Sequence, residues 1–299
     1  MTDTCGKTNG VIFNVVRASL HDGPGVRTVV YLKGCNLRCT WCHNPEGIGL
    51  GCEIMHYPDK CIGCGRCADI CPKCHTGGEY LRDGCVSCGK CAEVCPSGAL
   101  RLCGMEITAA ELYRQIAKDR SYFAATGGGV TLSGGECLMQ WEFAAAVLEL
   151  CRKNGIHTAI ETALCVKKQA LDAVIDRVDV FICDLKHVDG KIHEQYTGRG
   201  NGLILENIKY LAQNHKNIII RIPLIPGVND SDENLCAAAE FINDCGGGIA
   251  EAELLKYNDL AGAKYKNLDK SFNFDGVLTQ PEDEFQRKRE LFSERLKLV

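Results

Sequence analysis

Short apolar, β-branched runs recur along this chain between segments with helical spacing. From Glu106 onward the runs are GVTLS (129–133), HTAIE (157–161), DVFICDL (179–185), NIIIRIPLI (217–225) and GIAEAELL (248–255). Between them, TAAELYRQIAKDR (108–120), QWEFAAAVLELCRKNG (140–155) and SDENLCAAAEFIND (231–244) place apolar residues three and four apart. Strands alternating with helices predict a parallel sheet covered by helices. Gly155 is expected to end the second helix, and Ser231 or Asp230, leading into Asp232 and Glu233, to start the third. Upstream, VRTVVYLKG (26–34) reads as one more strand. Six β/α units fall short of the eight of a closed barrel. The expected class is therefore α/β, a partial (β/α)6 TIM-like barrel.

Residues 51–103 break the rhythm, being rich in Cys, Gly and Pro and without a periodic run of any length. They read as an insert between a first part of the barrel at 10–50 and its remainder at 104–299. The end of the chain, EDEFQRKRELFSERLKL, reads as a solvated helix. A net charge of −4, from 34 basic and 38 acidic residues, and no long basic block give no support for nucleic-acid or anionic-membrane binding. No apolar run approaches the ~18 residues of a membrane span, and the start MTDTCGKTNG is polar, so a cytoplasmic protein is expected.

Cysteine changes the picture. There are 21 in 299 residues, 15 of them before Gly104 and 11 between Gly51 and Cys103. In a reducing compartment closely spaced thiols are metal ligands sooner than disulfides. CIGCGRCADICP (61–72) and CVSCGKCAEVCPSGAL (85–100) repeat every cysteine at an offset of 24 residues, each with the spacing C-x2-C-x2-C-x3-C-P. This is the ferredoxin arrangement, in which the fourth Cys serves the other cluster. One [4Fe–4S] cluster would take Cys61, Cys64, Cys67 and Cys95, the other Cys85, Cys88, Cys91 and Cys71. Zinc would need two C-x2-C pairs, leaving the third Cys of each run and the proline unexplained. The insert is thus expected to be a ferredoxin-like domain with two clusters. Cys74, three residues past Cys71, is a candidate substitute ligand.

Outside the insert, KGCNLRCTWCHNPEG (33–47) carries C-x3-C-x2-C at Cys35, Cys39 and Cys42, with Trp41 before the third Cys. Three thiolates leave one iron of a cube to a non-protein ligand. The loop follows the first strand of a β/α array, and sites in such folds sit at strand C-terminal ends. LSGGE (132–136) follows the second strand; its glycines permit close backbone approach, and Glu136 can accept from a cationic amine.

With its aromatic, its GGE turn and the six-unit pattern, this motif resembles the radical S-adenosylmethionine (SAM) enzymes. More narrowly, HDGPGVRTVVYLKGCNLRCTWCHNPEG (21–47) resembles the signature of the glycyl radical enzyme activating enzymes, and the double ferredoxin insert resembles their larger members. The resemblance implies three [4Fe–4S] clusters, with SAM on the open iron of the Cys35, Cys39 and Cys42 cluster. It implies cleavage of SAM to a 5′-deoxyadenosyl radical that takes a hydrogen from a glycine of a partner enzyme. It further implies that Gly134, Gly135 and Glu136 hold the methionine amino end, that Trp41 borders the adenine, and that Asp184, Lys186 and Arg221 lie on the SAM side. Glu161 and Thr162 match an Asp-Thr pair near the ribose and a monovalent cation in relatives, Glu161 being one methylene longer. Where relatives often read LLPYH this chain reads LLKYN (254–258), so no role passes to Asn258. Asp22, in the HDGPG turn, is a candidate for the substrate-facing side.

A flavodoxin or ferredoxin-type electron donor and an anaerobic cytoplasm complete the expectation, with the extra clusters relaying electrons or shaping partner docking. The competing readings are a radical SAM enzyme acting on a small molecule or peptide, and a pure electron-transfer module. The last has no use for an iron with an open site.

Overall fold

The computed structural model describes residues 5–76, 79–215 and 217–297. Its main sheet has eight strands: β1 (Asn9–Ser19), β2 (Arg27–Leu32), β3 (Met105–Thr108), β4 (Gly129–Gly134), β5 (His157–Thr162), β6 (Val180–Asp184), β7 (Ile218–Leu224) and β8 (Ile249–Lys256). Their order is β8-β7-β6-β5-β4-β2-β1-β3. From β2 to β8 every pairing is parallel and the neighbours follow chain order. These six strands are the six runs anticipated from the β-branched pattern. The order has two ends, so the sheet is an open barrel.

β1 and β3 add antiparallel strands beyond β2, and the hydrophobic pattern misses both. β1 buries little besides Gly10 and Ile12, so its two faces lack the alternation that marks a half-buried strand. Gln140 holds this edge: its side chain accepts from the Val11 N–H at 2.8 Å and donates to the Val11 carbonyl at 2.8 Å.

Residues alternate across the sheet. One face, including Val30, Leu32, Val130, Leu132, Ile160, Phe181, Ile220 and Ile222, joins the helices in a single apolar core. The opposite face carries Arg27, Thr131, Ser133, Glu161 and Arg221, linked by hydrogen bonds into a polar lumen. The fully buried Arg27 donates to Thr131 Oγ1 at 2.6 Å and to the Val130 carbonyl at 2.5 Å.

The helix expected over 108–120 starts on a complete Thr108/Glu111 capping box but breaks at a 3₁₀ turn, giving Ala109–Ile116 and Arg120–Thr126. Helix Trp141–Lys153 ends before Gly155, whose φ of +69° is the left-handed value a glycine terminator supplies. Helix Asp232–Asp244 starts at Ser231, which accepts from the Asn234 N–H. The C-terminal helix Glu282–Arg295 corrects the expectation of a merely solvated element. Phe285, Lys288 and Phe292 form a buried stripe, its neighbour is helix Asp232–Asp244, and Arg287 grips Asp232 with two bonds of 2.9 and 3.0 Å.

Residues 53–103 fold outside the main sheet. Glu53–His56 pairs antiparallel with Leu100–Cys103, so both ends of the segment leave the barrel side by side. Among the described residues no helix is long and apolar enough to cross a membrane.

Candidate active site

The loop after β2 is set by backbone contacts. Gly34 adopts φ +96° and donates to the Gly47 carbonyl at 2.8 Å, and Cys35 donates to Ile48 at 3.0 Å, closing residues 34–48 into a ring. Arg38 and Thr40 donate to the carbonyls of Thr197 and Tyr196, which end helix Gly190–Thr197 and have no partners within it. On the other side the Glu136 N–H donates to the Gly34 carbonyl at 2.7 Å. A Cβ on Gly135 would overlap the carbonyl oxygens of Gly34 and Gly47. The two glycines therefore serve first to seat the cysteine loop against β4.

So held, Cys35, Cys39 and Cys42 face a cavity of about 270 Å³ at the C-terminal ends of the parallel strands. Trp41, Gly134, Gly135, Thr162, Asp184 and Lys186, all anticipated from sequence, also line it. Burial pushes the Cys35 and Cys39 thiols up to about 12 and Cys42 up to about 11, so these are protonated thiols until a metal displaces the proton. Lys186 bonds Asp184 at 2.7 Å. Burial works against its charge, but Asp184 and Cys39 outweigh that and hold it above the ordinary lysine value.

Two expected cofactor contacts lie elsewhere. Glu136 is fully buried beneath the cavity, where its carboxylate accepts from Leu138 N, Ala163 N and Thr162 Oγ1. It ties the ends of β4 and β5 together. Arg221 turns into the lumen and holds Glu161 at 3.1 Å, Glu253 at 2.5 Å and the His21 carbonyl at 2.6 Å. Glu161 lines the cavity, but its second oxygen accepts from Ser133 at 2.6 Å. Thr162 Oγ1 donates to Glu136 and accepts from Leu164 N. Both carboxylate oxygens of Glu161 and the Thr162 hydroxyl thus already meet protein partners. Asp22 bonds Ser19, and its carbonyl accepts from Thr131, placing the HDGPG turn against the lumen.

Sequence reasoning missed the roof. Trp41 packs edge-on to Phe274 at 6.1 Å and tilted to Tyr196 at 6.3 Å, with Ile225 and Tyr257 completing the cluster. His43, Tyr257 and Asn258 line the cavity. From helix Gly262–Asn267, Lys264 reaches back to the cysteine loop, bonding the His43 carbonyl at 2.9 Å, Asn44 Oδ1 at 2.8 Å and Glu46 at 2.7 Å. A methionine at Lys264 is expected to loosen the loop that carries Cys35, Cys39 and Cys42, and any iron held there should be retained up to about 10-fold less well, the low end of what ligand-bonded partners give. Chelator competition monitored by iron absorbance measures it, and unchanged retention counts against the clamp.

In the insert, Cys61, Cys64, Cys67 and Cys95 line one cavity, while Cys71, Cys85, Cys88 and Cys91 line another with Cys74. The two helices that follow the cysteine loops, Arg66–Ile70 and Lys90–Glu93, each start after a left-handed glycine, Gly65 and Gly89. That shared conformation is what the 24-residue repeat encodes.

Comparison with known proteins identifies this architecture. The family model described as the radical SAM superfamily matches residues 29–239. The chain belongs to the radical SAM superfamily. It is 40% identical over 279 residues, 90% of this chain and 88% of the relative, to the (2S)-3-sulfopropanediol dehydratase activating enzyme of Klebsiella oxytoca. It is 39% identical over 292 residues, 95% of this chain and 96% of the relative, to the trans-4-hydroxy-L-proline dehydratase activating enzyme of Clostridioides difficile. Among solved structures, Streptococcus suis SuiB bound to its precursor peptide SuiA aligns over 90% of this chain and 47% of that one, with a TM-score of 0.54. At 14% identity that likeness is one of fold. The superfamily match spans the cysteine loop, β4 and Lys186, whereas Tyr257, Lys264 and Phe274, which roof and clamp the site, lie beyond it.

Proposed function

We propose that this protein is the activating enzyme of a glycyl radical enzyme, holding a [4Fe–4S] cluster on Cys35, Cys39 and Cys42 and binding SAM in the adjoining cavity. One observation carries the reading: three thiols, one short of a closed cube, open onto a cavity floored by Gly134 and Gly135 and supplied with a buried cation, Lys186. A cluster held by Cys35, Cys39 and Cys42 would supply the electron for reductive cleavage of SAM, the chemistry by which a hydrogen would be taken from the partner's glycine.

This chain's residues bind, orient and exclude water. Lys186, kept charged by Asp184, pairs with the SAM carboxylate. Gly134 and Gly135 let the methionine amino group approach the backbone. Trp41, backed by Phe274 and Tyr196, shields the adenine side. Glu136 acts at one remove, by fixing the β4 and β5 ends on which these groups sit. Arg221 orders the lumen through Glu161 and Glu253, where a glycine loop would enter.

The insert adds two further [4Fe–4S] clusters, making three. Each cavity collects three cysteines of one repeat and the fourth of the other, the exchange that the ferredoxin spacing encodes and that a single zinc ion would not need. The partner is a glycyl radical enzyme, and the reductant is a flavodoxin or ferredoxin-type protein in an anaerobic cytoplasm. Action on a small molecule or peptide is the lesser reading, because relatives at 39–40% identity across nearly the whole chain are named activating enzymes.

Anaerobic incubation of the iron-loaded protein with dithionite and SAM tests the cofactor reading. Equal amounts of methionine and 5′-deoxyadenosine are expected. No 5′-deoxyadenosine from fully loaded protein would overturn it.

A further inference from the structure

The second cavity of the insert holds one thiol too many. A [4Fe–4S] cube needs four, and the ferredoxin pattern supplies Cys71, Cys85, Cys88 and Cys91. The same cavity is lined by Cys74, which is only 3% exposed. The first cavity has four cysteines and no fifth.

The internal repeat sharpens this contrast. Counting 24 residues on from Cys74 reaches Gly98, which sits in the matching place of the second repeat with φ +66°. That glycine continues the turn after Cys95. The two turns close alike, the Gly98 N–H donating to the Cys95 carbonyl at 3.3 Å and the Cys74 N–H to the Cys71 carbonyl at 3.1 Å, but only position 74 carries a thiol before the chain enters the strand at His75. The turn Cys71–Pro72–Lys73–Cys74 therefore presents two thiols to one corner of one cavity. The Cys74 carbonyl accepts from Leu81 at 2.7 Å, which fixes the far side of the turn.

We propose that Cys71 and Cys74 are interchangeable ligands of the second insert cluster, Cys74 being the reserve. The inference rests on reading this cavity as a cluster site. Exchange involves no change of oxidation state: the Fe–S bond to Cys71 breaks, that to Cys74 forms, and the Cys74 thiol proton passes to the released Cys71 sulfur. A reserve thiol lets the cluster survive loss or oxidation of Cys71, a protection the first cluster lacks.

Iron content and electron paramagnetic resonance (EPR) of anaerobically reconstituted full-length protein decide the matter. The unsubstituted protein should bind about twelve iron per chain, four for each of three cubes. Cys71→Ser should still bind about twelve, with a shifted EPR signal from the second cluster, whereas Cys71→Ser/Cys74→Ser and Cys88→Ser should each fall to about eight. Cys74→Ser alone should keep about twelve and the unsubstituted signal. Cys71→Ser falling to about eight like Cys88→Ser, while the unsubstituted protein holds about twelve, overturns the reserve ligand alone. About four in the unsubstituted protein overturns the cluster reading of the insert and the inference with it. Thermal melting of each apoprotein separates lost ligation from failed folding: a Cys71→Ser apoprotein that melts with the unsubstituted one yet binds about eight iron counts against the reserve.

Discussion

Serine at Cys39 is expected to lower 5′-deoxyadenosine formation by more than about 100-fold, since even the partners of metal ligands are worth 10- to 100-fold. Cys39 is the middle cysteine of the loop, packs against both the main core and the Trp41 cluster, and faces the cavity beside Lys186. Its loss leaves two thiols, too few to hold a cube with one open iron. The fold should survive, because the loop is seated by backbone bonds from Gly34, Cys35, Arg38 and Thr40 and not by the thiol. Quantified 5′-deoxyadenosine and circular dichroism together check this. Retained SAM cleavage in a Cys39→Ser protein would remove Cys39 from the ligand set.

Methionine at Lys186 has the second largest expected effect. At the cavity and lumen the lysine pairs with Asp184, while Arg221 pairs with Glu161 and Glu253. Removing one partner of a desolvated charge pair costs about 2–5 kcal/mol. Part of that falls on stability, as Asp184 is left without its partner at 2.7 Å, and part on SAM. The KM for SAM should rise by about 30-fold or more, with a smaller change in kcat, because the lysine binds the carboxylate and not the breaking bond. Arginine at 186 should recover part of the affinity. A fall in kcat at unchanged KM would instead place Lys186 at the reacting atoms.

The six parallel strands were legible because each carries β-branched residues on the face that meets the helices. The grouping of the cysteines was legible because their spacing is local: three or four thiols on one loop lie close in space, and each group lines one cavity. Strand β1, next to the edge strand β3, escaped because little of it beyond Gly10 and Ile12 is buried. The C-terminal helix escaped because its buried stripe is broken by Lys288, whose amine reaches the Asp230 carbonyl while its stem packs inward. Glu136 and Arg221 were recognised as important, but their partners were not, since a residue's type does not say which of several acceptors or donors it meets. Neither the Gln140 brace nor the Lys264 clamp has a local signal, because each joins segments more than 100 residues apart.

The departures from the wider family fall into the same physical account. The Glu161 carboxylate accepts from Arg221 and Ser133, which ties it into the lumen network. Asn258 lines the cavity, offering it a hydrogen-bonding group without a titrating one.

The central claim is tested most directly by EPR of a partner. The iron-loaded protein, SAM and a reductant are mixed anaerobically with a large enzyme bearing a C-terminal glycine-loop motif and encoded beside this chain, and the spectrum is followed with time. A glycyl doublet that grows with SAM consumption, and is absent when the Cys39→Ser protein is used, is the predicted result. Sustained SAM cleavage with no doublet in that partner would contradict the account.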